Sequence, residues 1–161
     1  MSARNTLLGI LSVLVLVAFA TVASAQQRPS YGTAVTLDVA KKMAAAAVAE
    51  AKKNNWNVAI AIVDNHGFLV YYERLDDTQT ASPSIAIEKA RTAAMFRRPS
   101  KAFENAVSKG RVAVLGLTGA MPITGGLPIK SGGRVIGAIG TSGVTSEQDE
   151  QVSQAGLGAL K

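Results

Sequence analysis

The sequence predicts an α+β fold in which antiparallel strand pairs are flanked by helices. Two alternating apolar segments, 57–64 and 125–131, are each followed after a short turn by another such segment, which is typical of hairpins. Apolar residues at helical spacing lie before, between and after these hairpins. Hairpins surrounded by helices favour an antiparallel sheet with helical layers over a parallel doubly wound fold.

The first 25 residues are predicted to be a secretory signal peptide, and residues 26–161 to form a single domain. Arg4 precedes an apolar run at 7–20, and the Ala-Ser-Ala at 23–25 is typical of a cleavage site. The alternative is an uncleaved membrane anchor, for which the run is short. We therefore expect an exported protein, periplasmic or secreted, with no stable membrane span after cleavage.

The domain is predicted to begin with a helix capped by Thr36, with Asp38 in its first turn, and to end that helix near Asn54. A central strand at 57–64, a turn and a return strand follow. The return strand contains two adjacent tyrosines, which alternation places on opposite faces of the sheet.

A second helix is predicted with Ser82 as N-cap and Pro83 at its first position, ending at Phe96. It carries Lys89 beside an apolar stripe. After a proline, Ser100 is predicted to cap a short helix. The segment 111–117 is predicted to be either a third strand or an extended segment.

The glycine-rich segment 125–143 is predicted to form a second hairpin with its turn at 131–133. A final helix follows, with Ser146 and Asp149 as a variant capping box. The glycines have two readings. They serve tight turning and close helix–sheet packing, or they expose backbone N–H groups near a helix start, where anions such as carboxylates bind.

Composition excludes several classes of site. The chain has no cysteine, which removes thiolate chemistry and cysteine-ligated metals, and its one histidine, His66, makes a zinc site or a catalytic triad a poor interpretation. The net charge of +6 favours an anionic ligand weakly. The basic pairs at 41–42, 52–53 and 97–98 are interpreted as solvated helix faces, with no nucleic-acid motif. A domain without disulfides is expected to gain stability as a homo-oligomer.

Three segments resemble the signature blocks of the GlcG/HbpS family of exported haem-binding proteins, which is related to the C-terminal domain of corrinoid adenosyltransferases. They are VDNHGFLVYYERLDD, SPSIAIEKARTAAMF and GGLPIKSGGRVIGAIGTSGVTSEQDEQVSQAGL. The resemblance covers residues 36–160. It implies a five-stranded antiparallel sheet with helices on both sides in profilin-like layering, assembly into dimers or larger oligomers, and haem as a cofactor.

The resemblance and the residues together give a set of cofactor-binding candidates: His66, Arg74, Lys89, Gly140, Ser142, Gly143 and Asp149. Lys89 either forms a structural ion pair, with Glu88, Asp149 or Asp64, or faces a ligand. We expect the second hairpin, the start of the last helix and the Lys89 face to border one pocket, within or between subunits.

Haem requires an apolar slot, an axial iron ligand and cations for its propionates. His66 is the candidate metal ligand, although many relatives carry glycine there and some carry a histidine at the position of Phe68. The other axial candidates are Tyr71, Tyr72, Met43, Met95 and Met121.

The sequence thus predicts an exported haem- or tetrapyrrole-binding protein that acts in binding, sensing or trafficking. One alternative is an enzyme or accessory protein acting on a small hydroxy acid or a tetrapyrrole. Another is an oligomeric assembly module outside the cytoplasm. No catalytic residues are assigned, because no catalytic motif occurs, and a binding protein is favoured over an enzyme.

Overall fold

The computed structural model describes residues 28–160, and the predicted signal peptide at 1–25 lies outside them. Within that range, no helix is long and apolar enough to cross a membrane. The main elements in chain order are α1 (Leu37–Lys53), β1 (Ala59–Asp64), β2 (Leu69–Arg74), α2 (Ser82–Phe96), α3 (Lys101–Ser108), β3 (Gly126–Ser131), β4 (Arg134–Ser142) and α4 (Ser146–Gly158).

The strands form one antiparallel sheet in the order β2-β1-β4-β3. This confirms the α+β class and both predicted hairpins. The sheet has four strands in the described part of the chain, so the implied fifth strand is wrong. One further parallel bridge joins Tyr31 to Val135, beside β4 where β1 has ended.

The segment expected as a third strand or an extended segment forms a 3₁₀ helix, Val112–Gly116, instead. Gly110 adopts a φ of +86° and turns the chain there. Val112 and Leu115 are exposed, so this segment has no sheet edge to pair with and satisfies its backbone locally. An alternating apolar pattern leads to a strand only where a neighbouring strand is available for pairing.

Helices cover both faces of the sheet, as the resemblance implied. On one face, Ile60, Ile62 and Ile139 pack with Met43 of α1 and Val152 of α4. The other face is built from small residues, chiefly alanines of β1 and α2, so that α2 lies very close to the strands. The two faces therefore differ in thickness, and α2 fixes the positions of most candidate site residues.

Helix ends agree with the sequence in part. Thr36 caps α1 by accepting a hydrogen bond from Val39 N at 3.4 Å. Ser82 was expected to be the N-cap of α2, but it is the first helical residue, and Ala81 is the N-cap. The predicted Ser146–Asp149 capping box is wrong, since Thr145 and Gln148 form the box. Asp149 is buried and serves another contact.

Candidate functional site

Glycines allow the backbone of α2 to touch the sheet. A Cβ atom at Gly140 would lie 2.3 Å from the carbonyl oxygen of Ala86, and one at Gly126 would lie 2.1 Å from that of Lys89. No side chain fits in either gap. Gly140 is thus covered by α2 here, which is the packing role left open by the sequence. Its role toward a cofactor stays a prediction.

Lys89 and Asp149 form an ion pair inside the protein. The distance from Lys89 Nζ to Asp149 Oδ2 is 2.7 Å, and the two side chains are 2% and 3% exposed. Lys89 Nζ also donates to the carbonyl oxygen of Thr141 at 3.0 Å, and Asp149 Oδ1 accepts from Val144 N at 3.2 Å. Burial raises the pKa of the Asp149 carboxyl, and the Lys89 ammonium offsets part of that rise. Of the two readings for Lys89, the ion pair is formed.

The three elements expected to border a ligand pocket do meet, but their meeting point is filled. A Cβ atom at Gly125 would lie 3.0 Å from both Lys89 Nζ and Asp149 Cβ. Ser153 Oγ donates to the carbonyl oxygen of Gly125 at 2.8 Å. The anion beside the start of α4 is therefore the carboxylate of Asp149 itself.

Ser142 and Gly143 continue this interior packing. Ser142 is buried, and its hydroxyl donates to Ser82 Oγ at 3.4 Å. A Cβ atom at Gly143 would lie 2.3 Å from the carbonyl oxygen of Asn57. Both residues were expected to bind a cofactor. In this structure they join β4 to its neighbours, and a cofactor role for them stays a prediction.

An open groove lies between α2 and the edge strand β2, and we call it the α2–β2 groove. Its volume is about 660 Å³, within the range of roughly 300–1,000 Å³ that is usual for small-molecule sites. It is lined by Leu69, Tyr72, Glu73, Arg74, Pro83 and Ile87. Arg74, another predicted site residue, is exposed at one end.

The side of α2 that lines the groove continues toward the β1–β2 turn. Ile87, Arg91 and Met95 are spaced four residues apart and so follow one side of the helix. A Cβ atom at Gly67, in the turn, would lie 3.3 Å from Met95 Cγ and 3.7 Å from Arg91 Cγ. This part of α2 therefore lies against the turn that contains His66.

Several large apolar side chains around the β1–β2 turn are exposed to water. Phe68 is 71% exposed, Leu69 49% and Met95 41%. Neighbouring apolar side chains of this size that remain in water are a common mark of a binding surface. The sequence predicted neither Leu69 nor Met95 as part of one surface. The i, i+4 spacing on α2 was the available signal.

The turn itself is built to hold a fixed shape. Asp64 Oδ1 accepts hydrogen bonds from the backbone N–H groups of His66, at 2.8 Å, and Phe68, at 2.9 Å. Gly67 has a φ of +91°, which favours glycine. His66 and Phe68 are held at the tip of this turn with their side chains exposed.

The structure separates the axial-ligand candidates. Met43, a residue of α1, is fully buried against the sheet, and Tyr71 packs on the same face of the sheet. The Tyr71 hydroxyl donates to Glu73 Oε2 at 3.0 Å, which raises the pKa of Tyr71. Tyr72 lies on the opposite face and lines the groove, as alternation predicted.

Of these candidates, Tyr72 lines the α2–β2 groove, His66 lies in the β1–β2 turn and Met95 packs against that turn. Met121 is half-buried, and its backbone N–H donates to Thr92 Oγ1 at 2.7 Å. Arg91, which the sequence did not single out, lies on the same side of α2 as Ile87 and forms an ion pair with Glu88. Its Nη1 lies 2.9 Å from Glu88 Oε1, and its side chain is 44% exposed.

The fold is that of a small α+β domain with a four-stranded antiparallel sheet between helices. A protein-family model described as "Haem degrading protein HbpS-like" matches residues 35–158. The chain belongs to this family, which confirms the resemblance seen in its three sequence blocks.

Individual relatives agree with that assignment. Protein GlcG of Escherichia coli strain K12 is 41% identical over 108 residues, which cover 65% of this chain and 81% of GlcG. A double mutant of HbpS from Streptomyces reticuli superposes with a TM-score of 0.75 at 29% identity, covering 87% of this chain and 96% of that one. PduOC, solved as a complex with haem, gives a TM-score of 0.72 at 26% identity, covering 79% and 95%.

Proposed function

We propose that this chain is an exported haem- or tetrapyrrole-binding protein whose ligand occupies the α2–β2 groove. The observation that carries the proposal is the α2–β2 groove itself, whose lining combines the apolar surfaces of Leu69, Tyr72 and Ile87 with the cation of Arg74. The haem complex of PduOC supports it, because that protein shares the fold. Its role would be binding, sensing or trafficking of the ligand.

The residues present fit a haem. Leu69, Ile87 and Phe68 give apolar contact for a flat macrocycle. Arg74, exposed in the groove lining, would supply a cation for a propionate carboxylate. His66, Tyr72 or Met95 can supply the ligand to iron. Bound haem would contribute a redox-active iron centre, and these residues would hold the ring and the iron.

Hemin titration of the apoprotein tests this proposal. We expect saturable binding with a Soret band, and we expect His66→Ala to weaken binding about tenfold or more, or to shift the band, because an iron ligand is lost. Tyr72→Phe tests the second candidate, and Met95→Leu the third. Tyr71→Phe is the matched control, since Tyr71 lies on the other face of the same strand. Its spectrum and affinity should equal those of the wild type.

Two outcomes would contradict the proposal. The absence of saturable hemin binding would reject haem as the ligand. Binding that all three variants leave unchanged would place the haem outside the α2–β2 groove.

We propose export on the strength of the N-terminal pattern, since Arg4, the apolar run at 7–20 and the Ala-Ser-Ala at 23–25 form the three parts of a signal peptide. We expect the protein from its natural host to begin at Gln26. Its intact mass checks this, and a mass that includes Met1 to Ala25 would contradict cleavage.

We also propose a homo-oligomer in which β2 lies near a partner copy. β2 is an edge strand of the sheet, and exposed apolar residues stand at its start. Light scattering should give a mass of at least two chains. Phe68→Ser should lower that mass and also the melting temperature, because the partner no longer stabilises the folded chain. A strict monomer at all micromolar concentrations would refute the oligomer.

Haem degradation is a second candidate function, favoured by the description of the family model. It would follow hemin binding in the same groove. The test is incubation of the hemin complex with ascorbate under air. Loss of the Soret band with release of iron supports degradation, and a stable band restricts the protein to binding.

A further inference from the structure

A second cleft lies at the C-terminal end of α2 and carries a strong positive charge. Its volume is about 750 Å³, and we call it the cationic cleft. Its lining consists of Arg28, Pro29, Arg97, Arg98, Pro99, Ala102, Lys130 and Gly133. Half of these residues are cations, and no aspartate or glutamate is among them. It shares no lining residue with the α2–β2 groove.

Arg98 is held in place but lacks a partner for one donor. Its guanidinium carbon lies 4.1 Å from the centre of the Phe103 ring. Its Nε is buried and has no hydrogen-bond partner among residues 28–160. Burial lowers the pKa of Arg98, and the charges of Arg28 and Arg111 lower it further. A buried donor surrounded by like charges is stabilised when an anion binds.

Arg97 stands where glycine would be the easier residue. It ends α2 with a φ of 55° and a ψ of 38°, a left-handed conformation that usually selects glycine at a helix end. Its guanidinium lies over the Tyr31 ring at 5.0 Å, and Nη1 donates to the carbonyl oxygen of Pro29 at 3.1 Å. The interpretation of 97–98 as a solvated helix face is therefore wrong, because both side chains are half-buried at the cleft.

We propose that the cationic cleft binds a small oxyanion that carries at least two negative charges, such as a phosphate group or a di- or tricarboxylate. Arginine presents a planar set of donors that matches two oxygens of such an anion, and Arg98 is already ordered by stacking. Lys130 adds a mobile point charge from β3. The bound anion relieves the repulsion among the four cations of the cleft.

The proposal is tested by calorimetric titration of the apoprotein with inorganic phosphate and, separately, with citrate, at constant ionic strength. We expect saturable binding of at least one, and the stronger of the two identifies the oxyanion class. Lys130→Gln should weaken that binding about tenfold, the loss of one charged hydrogen bond. Lys130 is exposed, so its substitution should leave the fold intact. Lys41→Gln, an equal change of charge at an exposed site on α1, should alter the affinity less than twofold.

The side-chain N–H signal of Arg98 gives a second, local readout. It should shift in the nuclear magnetic resonance spectrum as the anion binds, with the same midpoint as the calorimetric titration. Absence of saturable binding by both anions would overturn the proposal. An equal loss in Lys41→Gln, or an unmoved Arg98 signal at saturation, would show attraction to overall charge rather than a site.

Discussion

Replacing Asp149 by alanine is expected to lower the free energy of unfolding by about 3–5 kcal/mol, because it leaves the Lys89 ammonium buried without a counter-charge. The Nζ–Oδ2 distance is 2.7 Å and both groups are almost completely buried. Removing one partner therefore leaves an uncompensated charge in the interior. Urea denaturation at pH 7 measures the change. A variant as stable as the wild type would contradict the interior ion pair.

Two controls separate this effect from a general loss of charge. Glu150→Ala removes the partner of Lys101 in an ion pair of 3.0 Å near the surface, and we expect it to cost less than about 1 kcal/mol. The double variant Lys89→Met with Asp149→Leu should recover most of the stability, since well-packed apolar side chains often replace a buried pair without loss. If this double variant binds hemin like the wild type, neither residue contacts the ligand.

Gly140→Ala is expected to cost about 3 kcal/mol, near the upper end for overpacking of a core. The added Cβ would lie 2.3 Å from the carbonyl oxygen of Ala86 and 2.6 Å from Ala90 N, both backbone atoms of α2. The helix therefore has to move away from the sheet. The melting temperature and the urea midpoint should both fall.

Gly158→Ala is the matched control for this substitution. No heavy atom lies within 4 Å of the Cβ that it would add, at the end of α4. Alanine should stabilise that helix by about 0.5–1 kcal/mol. If Gly140→Ala retained full stability but lost hemin affinity, Gly140 would have the ligand role that the sequence suggested rather than the packing role.

Local signals in the sequence predicted the elements well. Thr36 and Phe96 mark helix ends where expected, and Gly132 and Gly133 form the second hairpin turn with positive φ angles. These features depend on a few neighbouring residues, so they can be read directly. The segment Val112–Gly116 could not be assigned this way, because a strand forms only where the fold leaves an edge to pair with.

The candidate site was predictable only in pieces. Lys89 stood out as a lysine in an apolar stripe, but its partner Asp149 is 60 positions away and was one of three choices. The α2–β2 groove depends on which strand lies at the sheet edge, which the spacing of Ile87, Arg91 and Met95 does not reveal. The glycines of β4 suggested ligand access, and the fold uses Gly140 for helix contact.

Paramagnetic broadening by ferric hemin tests the central claim most directly, because it reports where the haem lies. In a ¹⁵N-labelled protein, we expect hemin to broaden the amide signals of Leu69, Tyr72 and Ile87 first, while signals from α1 and from Ala102 and Lys130 of the cationic cleft persist. Broadening centred on Arg97, Arg98 and Lys130, or on α1, with the groove signals intact, would contradict the assignment of the α2–β2 groove as the haem site.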